Sequence, residues 1–235
     1  MLALLPFYQA LDGRGLSHTP LPPFPPPPGP PTPQQIWECT QERSNHIVHS
    51  FFASEHFRRG IPVVPGARQA LERIARSGAD LVVVTSRQHV IQDATLAWLD
   101  SHYPGLFRDV YFGNHWAMSG RSRPKSEICR AAGAHVLVDD NPGYAVDCAR
   151  AGLHVLLYDW GGSYPWAKLT PEQAAEHPNV TVVRDWREAE AALGALAPLV
   201  REGAPAAGRE ASDEVRRSVD EVRRRQQQQQ QAPQA

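Results

Sequence analysis

An apolar segment that ends in two adjacent carboxylates constrains the fold of this chain more than any other feature. Residues 136–138 are Val-Leu-Val, Asp139 and Asp140 follow them, and Asn141 and Pro142 then open an apolar-periodic helix. A short apolar run without polar alternation is typical of a strand that is covered on both faces, as in a parallel sheet. Adjacent acids repel each other unless a cation lies between them, so the pair predicts a magnesium site.

A second strand of the same design ends in hydroxyl groups. Residues 81–84 are apolar, and Thr85, Ser86 and Arg87 follow them. Lys125 comes between the two strands in the sequence, at the start of a predicted helix. Hydroxyl groups can donate hydrogen bonds to phosphoryl oxygens, and an ammonium can neutralise both a phosphate and an acidic pair. Together these residues predict a pocket for phosphate and Mg²⁺.

Each of these residues also has a purely structural interpretation. Asp139 and Asp140 could form a turn and cap the helix that follows. Lys125 could be a surface lysine in a basic loop, and Thr85 and Ser86 could be ordinary hydroxyls at the end of a strand. The combination of hydroxyl, ammonium and acidic pair favours the phosphate pocket.

Strands alternate with helices over residues 36–197, which predicts a Rossmann-like α/β domain with a parallel sheet and helices on both faces. Sites in such sheets lie at the carboxyl ends of the strands, where Thr85, Asn114 and Asp139 fall. Ser86, Arg87 and Asn114 are therefore candidate substrate contacts. The predicted helices cover residues 41–52, 66–75, 90–103, 125–132, 144–151 and 186–197, and the predicted strands cover residues 81–84, 110–112, 135–138, 154–158 and 180–183.

Both ends of the chain differ in composition from this domain. Within residues 1–35, ten of the 14 residues from Pro20 to Pro33 are proline, which favours an exposed polyproline II rod. A stiff linker is the expected role of this segment, and docking to an SH3- or WW-type partner is the alternative. Residues 198–235 are charged and Gln-rich with a thin apolar stripe, which predicts a disordered or helical tail.

Charge and cysteine content narrow the range of partners. The net charge is −1 and the pI is about 6.8, so no global field favours nucleic acid or a membrane surface. No apolar run reaches the roughly 18 residues that a membrane-spanning helix needs. Three widely spaced cysteines fit no zinc pattern and favour a reducing intracellular compartment. The expected partner is a phosphorylated small molecule, which the predicted phosphate pocket would bind.

The ordered residues Thr85, Lys125 and Asp139 with Asp140 resemble the second, third and fourth motifs of the haloacid dehalogenase-like phosphohydrolases. A narrower resemblance is to the plant and algal relatives of the 5'(3')-deoxyribonucleotidases, and it covers roughly residues 37–197. The segments that carry this narrower resemblance are residues 61–67, 83–88, 112–115, 125–129 and 139–142.

The resemblance implies a magnesium-dependent phosphate-monoester hydrolase that acts through an aspartyl-phosphate. It implies a small helical cap next to the sheet, of which residues 36–62 would be a remnant. Thr85 and Lys125 would hold the phosphoryl oxygens, and Asp139 and Asp140 would bind Mg²⁺. The implied substrate is a phosphorylated small molecule of the nucleotide class.

The first motif of the family, an apolar strand followed by Asp-x-Asp, is missing from the sequence. Asp12 has no acid two residues later, and the chain contains no Asp-x-Asp. Because the family places this strand at the centre of the sheet, we expect a sheet without its central first strand. An incomplete or mis-started chain is the preferred explanation, and a degenerate homologue is the second.

Two functions follow from the missing motif. The first is a nucleotidase-type hydrolase that is inactive in this chain because its nucleophile is absent. The alternative is a non-catalytic protein that binds phosphate or a nucleotide, or acts as a scaffold, and uses its Pro-rich segment or tail for partners.

Overall fold

Short, largely apolar segments form five strands in the computed structural model, which describes residues 39–58, 60–115, 117, 119–203 and 205–231. The strands are β1 (Val82–Thr85), β2 (Asp109–Phe112), β3 (Val136–Asp139), β4 (His154–Tyr158) and β5 (Val180–Val183). Every residue of β1, β3 and β4 is buried, as expected for strands that are covered on both faces. The Pro-rich segment, Asp12 and Trp37 lie outside the described residues.

All strand pairs in the described part of the chain are parallel. β1 pairs with β2, so that Val82 lies opposite Asp109 and Thr85 lies opposite Phe112. β3 pairs with β4, and β4 pairs with β5. The predicted α/β fold with parallel strands is therefore confirmed.

The described strands form two separate sheets, one with the order β1-β2 and the other with the order β3-β4-β5. Within the described residues, no strand joins β1 to β3. A cavity of about 530 Å³ lies between them, because Leu81 and Val82 line it from one side and Val138 lines it from the other. This is the position at which the expected central strand of the family would lie.

Nine α-helices surround these strands within the described residues. They are α1 (Gln41–Phe52), α2 (Glu55–Arg58), α3 (Ala67–Arg76), α4 (Gln92–His102), α5 (Lys125–Ala131), α6 (Pro142–Arg150), α7 (Pro171–Glu176), α8 (Trp186–Arg201) and α9 (Arg209–Gln231). None of the helices in this part of the chain is long and apolar enough to cross a membrane. The short helices α2 and α7 were not predicted from the sequence.

Side-chain caps fix the starts of α1 and α6. The Thr40 hydroxyl accepts a hydrogen bond from the Arg43 amide at 3.3 Å at the start of α1. The Asn141 Oδ1 accepts from the Gly143 and Tyr144 amides at 2.9 and 3.1 Å, and Pro142 occupies the first turn of α6. This cap explains why the chain turns directly after β3 and leaves the two acids at the strand end.

The helix α8 continues beyond its predicted end at residue 197. Proline inside a helix removes one hydrogen bond and costs about 3 kcal/mol, yet Pro198 lies within α8. Packing outweighs this cost, because Leu196 is buried and the Arg201 guanidinium donates to the Ser77 carbonyl at 2.8 Å.

The charged tail forms the long helix α9, which is the helical one of the two predicted alternatives. Val215 and Val219 are buried in the core. The Arg223 guanidinium donates to both carboxylate oxygens of Glu188 in α8 at 2.8 and 2.9 Å. It also donates to the Val182 carbonyl of β5 at 2.8 Å. α9 is therefore attached to the domain by both apolar packing and an ion pair.

Candidate functional site

Strand ends and one helix start place a buried ion pair at the centre of the candidate site. Asp139 is the last residue of β3, and Lys125 is the first residue of α5. The Lys125 Nζ donates to the Asp139 Oδ2 at 2.5 Å, and the Asn141 amide donates to Oδ1 at 2.9 Å. Only 2% of the Asp139 side chain and 6% of the Lys125 side chain are exposed. The lysine and one of the acids predicted for the site therefore lie together.

Asp140 lies beside this pair in a different environment. Its Oδ2 accepts a hydrogen bond from the Trp166 indole nitrogen at 2.9 Å. Burial, and next to it the negative charge of Asp139, raise the pKa of Asp140 to about 7. When Asp140 is ionised, two negative charges lie close together, and the described residues neutralise them only in part.

The two carboxylates fit a partial Mg²⁺ site. Mg²⁺ prefers oxygen ligands, keeps several bound waters and often takes only one or two carboxylates from a protein. Asp139 and Asp140 supply carboxylate oxygens on adjacent residues. Within the described residues, no group of three or more His, Cys, Asp or Glu side chains could hold a metal ion. The described protein ligands would therefore be these two acids.

The loop after β1 is fixed by backbone hydrogen bonds to the segment after β2. The Gly113 amide donates to the Thr85 carbonyl at 2.7 Å, and the His115 amide donates to the Ser86 carbonyl at 3.0 Å. The Thr85 hydroxyl accepts from the Arg87 amide at 3.2 Å. Thr85 is buried, with 6% of its surface exposed, so its hydroxyl is held in one position at the strand end.

Arg87 is a partly buried cation, and few of the described groups offset its positive charge. Its Nη1 donates to the Thr95 hydroxyl at 3.1 Å. In the described part of the chain, no carboxylate forms an ion pair with Arg87. Burial lowers the pKa of the guanidinium, which reflects the cost of removing it from water. A desolvated guanidinium without an acidic partner favours an anion, and the contact of Arg87 with substrate stays a prediction.

Asn114 holds the loop rather than presenting a free amide. It adopts a φ of 53°, in the left-handed region that Asn tolerates better than most residues. Its Oδ1 accepts from the His89 amide at 3.1 Å, and its Nδ2 donates to the Ser119 carbonyl at 3.0 Å. Both ends of the side chain therefore serve the conformation of the loop that carries His115.

His115 and Tyr144 connect this loop to the ion pair, and sequence reasoning did not identify Tyr144. The His115 Nε2 donates to the Arg123 carbonyl at 2.8 Å, and Nδ1 lies 2.7 Å from the Tyr144 hydroxyl. The Tyr144 ring lies beneath the Lys125 ammonium, with Nζ 4.6 Å from the ring centroid. These contacts join residues from three separate segments at one end of the sheets.

A second Lys–Asp pair lies after β4 and was also missed from the sequence. Asp159 is buried and accepts hydrogen bonds from the Lys168 ammonium and from the Tyr164 amide. Lys125 and Lys168 are the two lysines of the sequence, in which 24 residues are Lys or Arg. Each lysine therefore pairs with an aspartate at or just after a strand end, and the scarcity of lysine was the available signal.

A family model described as 5'-nucleotidase, deoxy (pyrimidine), cytosolic type C protein matches residues 32–117. This match covers less than half of the chain, so it shows a resemblance over that part. The resemblance to the haloacid dehalogenase-like phosphohydrolases that the sequence predicted is confirmed to that extent. The match includes β1, β2 and the candidate residues Thr85 and Asn114, whereas Lys125 and Asp139 lie beyond it.

Among solved structures, a protein of Lactobacillus delbrueckii subsp. bulgaricus described as a phosphoglycolate phosphatase is similar to this chain, with 17% identity and a TM-score of 0.47. The similarity covers 66% of this chain and 64% of that chain, so the chain spans less than two thirds of the length of that protein. No curated protein matches the chain.

Proposed function

We propose that this domain binds a phosphate monoester together with Mg²⁺, as part of a hydrolase of the nucleotidase type, and that the chain is inactive on its own because it lacks the nucleophile. The observation that carries the proposal is the buried pair of Lys125 and Asp139 at the end of β3, with Asp140 beside it. A buried ion pair is costly unless further groups compensate it. A phosphate and a divalent cation would provide that compensation at this position.

Each polar group has a separate task in this proposal. The Thr85 hydroxyl and the Lys125 ammonium would bind phosphoryl oxygens, and Arg87 would add a second cationic contact. Asp139 and Asp140 would hold Mg²⁺, which would neutralise negative charge on the phosphoryl group. Asp139 already accepts from Lys125 and from the Asn141 amide, so it is a poor candidate for the attacking carboxylate.

A carboxylate nucleophile would have to come from a strand placed between β1 and β3. The chain contains no Asp-x-Asp that could supply both a nucleophile and a general acid. The family match favours a nucleotide as the substrate over other phosphate monoesters. Hydrolysis would then require a segment bearing the missing motif.

Calorimetric titration of the full chain with inorganic phosphate tests the proposed pocket. We expect binding that requires Mg²⁺ and that is lost in Lys125→Met and in Asp139→Asn, because each change removes one side of the pair. Arg130→Met is the matched control, since Arg130 is an exposed cation on the same helix as Lys125. Binding that persists in both site variants, or that ignores Mg²⁺, would contradict the proposal.

The absence of Asp-x-Asp also favours a second candidate function, a non-catalytic protein that binds phosphate or a nucleotide. An added N-terminal strand that carries Asp-x-Asp separates the two candidates. Hydrolysis of p-nitrophenyl phosphate by this extended chain, and not by an Asn-x-Asn version, supports the hydrolase. Unchanged phosphate binding without any hydrolysis supports the binding protein.

A further inference from the structure

The Lys125 ammonium lies between a carboxylate and an aromatic ring. Its Nζ donates to Asp139 at 2.5 Å and lies 4.6 Å from the centroid of the Tyr144 ring. We propose that Tyr144 and His115 are positioning residues that direct the Lys125 ammonium toward the phosphoryl group. This inference rests on the proposed function, because it assigns a role to residues around the same phosphate site.

The Lys125 ammonium retains hydrogen-bonding capacity for a ligand. A protonated lysine has three N–H donors, and among the described residues Asp139 is the one hydrogen-bond partner of Nζ. The face of Tyr144 attracts the cation without using an N–H donor in a conventional hydrogen bond. The ring therefore restricts the flexible side chain while it leaves N–H groups for an anion.

The orientation of the Tyr144 ring is set by His115. The Arg123 carbonyl can only accept a hydrogen bond, so the His115 Nε2 carries the proton that it donates over 2.8 Å. In the neutral imidazole Nδ1 is then an acceptor, and the Tyr144 hydroxyl donates to it over 2.7 Å. Burial lowers the pKa of His115, which favours this neutral form.

His115 also connects Lys125 to the segment that carries the Thr85 hydroxyl, which is proposed to bind phosphate. Its amide donates to the Ser86 carbonyl at 3.0 Å, one residue after Thr85. A continuous set of contacts thus runs from the end of β1 through His115 and Tyr144 to Lys125. The arrangement keeps the hydroxyl and the ammonium in one frame, as a preorganised phosphate site requires.

Lysine NMR tests this positioning directly, because the full chain contains only Lys125 and Lys168. In a chain labelled with ¹³C-lysine, we expect the Lys125 ε-protons to be shifted upfield by the Tyr144 ring. Tyr144→Leu should abolish that shift, leave the Lys168 signals unchanged, and weaken the binding of inorganic phosphate with Mg²⁺ by about tenfold.

Two further variants separate the ring from its anchor. Tyr144→Phe loses the hydrogen bond to His115 but keeps the aromatic face and its edge contact with the His115 ring, so part of the upfield shift and of the phosphate affinity should remain. His115→Leu removes both the hydrogen bond and the ring contact, and both the Lys125 shift and the affinity should fall below those of Tyr144→Phe. These comparisons distinguish positioning from a general loss of packing, because the Lys168 signals report whether each variant is folded.

The inference is overturned if folded Tyr144→Leu retains the wild-type phosphate affinity, or if the wild-type Lys125 signals show no upfield shift. A wild-type chain that binds no phosphate contradicts the proposed function instead. In that case the Lys125 shift in wild type and in Tyr144→Leu still decides whether the ring fixes the lysine.

Discussion

At the scale of single residues, burial decides which charges matter. Lys125 and Asp139 are both nearly inaccessible to water and lie 2.5 Å apart, whereas most other ion pairs of the described residues involve exposed side chains. Exposed pairs typically contribute less than about 1 kcal/mol. Removing one partner of a buried pair leaves an uncompensated charge and is much more costly. The same pair thus determines local stability and the proposed chemistry.

Lys125→Met should lower the free energy of unfolding by about 3–5 kcal/mol, because it leaves the Asp139 carboxylate buried without its cation. Urea denaturation of Lys125→Met, Asp139→Asn and the double variant measures the coupling. We expect the double variant to lose clearly less stability than the sum of the two single changes. Additive losses would mean that the two groups do not stabilise each other in solution.

His154 makes stability depend on pH. Its ring lies 3.2 Å from the Ala206 carbonyl and 3.3 Å from the Thr181 hydroxyl. Burial lowers its pKa from 6.5 to about 4, so between these values the unfolded chain binds a proton that the folded chain does not. This contribution is complete above pH 6.5 and is lost as the pH falls toward 4, by on the order of 3 kcal/mol.

Urea denaturation across this pH range should therefore show stability that rises with pH. In His154→Gln the slope should be smaller, since glutamine does not titrate. The comparison with the variant removes the contribution of the other titrating groups. An identical slope in both proteins would show that His154 is accessible to protons in the folded state.

At the scale of elements, local patterns predicted the five strands and most of the helices, and missed the short helices α2 and α7. The strands β4 and β5 were predicted at their observed bounds, because short, largely apolar runs rich in β-branched residues and leucine have few alternatives to a buried strand. The helix α7 was missed, although Thr170 and Gln173 form a capping box at its start. The sequence left open whether the tail is disordered or helical, because burial of its valines depends on the surface of the folded α8.

The candidate site divides in the same way. The positions of Thr85 and Asp139 at strand ends and of Lys125 at a helix start could be predicted, because strand ends and helix starts follow from local patterns. The contacts of Tyr144 with His115 and with Lys125 could not, since they join residues 29 and 19 positions apart in the sequence. No periodic pattern in the sequence indicates which side chains so far apart along the chain will be in contact.

The attachment of α9 gives a prediction at the scale of elements. Arg223→Met should cost about 2 kcal/mol or more, because it leaves the Glu188 carboxylate, of which 2% is exposed, without its partner. Arg224→Met is the matched control, since Arg224 is an exposed neighbour on the same helix. Urea denaturation compares the two variants. Equal stability of both would show that the ion pair does not hold α9 on α8.

At the scale of the whole molecule, the arrangement of the strands links stability to chemistry. The candidate site residues come from both sheets, with Thr85 at the end of β1 and Asp139 at the end of β3. Within the described residues, no strand lies between them, and a cavity of about 530 Å³ separates Val82 from Val138. A strand in this position would fill apolar space and would also bring a side chain to the proposed phosphate site.

An N-terminal extension of the full chain by an apolar strand bearing Asp-x-Asp should therefore have two separable effects. It should raise the midpoint of urea unfolding, because it buries apolar surface against Leu81, Val82 and Val138. The Asn-x-Asn version should stabilise at least as well, since it fills the same space with fewer charges.

Hydrolysis of p-nitrophenyl phosphate should appear only with the aspartates, because only a carboxylate can form the aspartyl-phosphate. A version with proline at the centre of the strand should do neither, because proline cannot donate to a neighbouring strand. If all three extensions leave the midpoint unchanged, the cavity between β1 and β3 does not accept a strand, and the missing nucleophile would have to enter the site by another route.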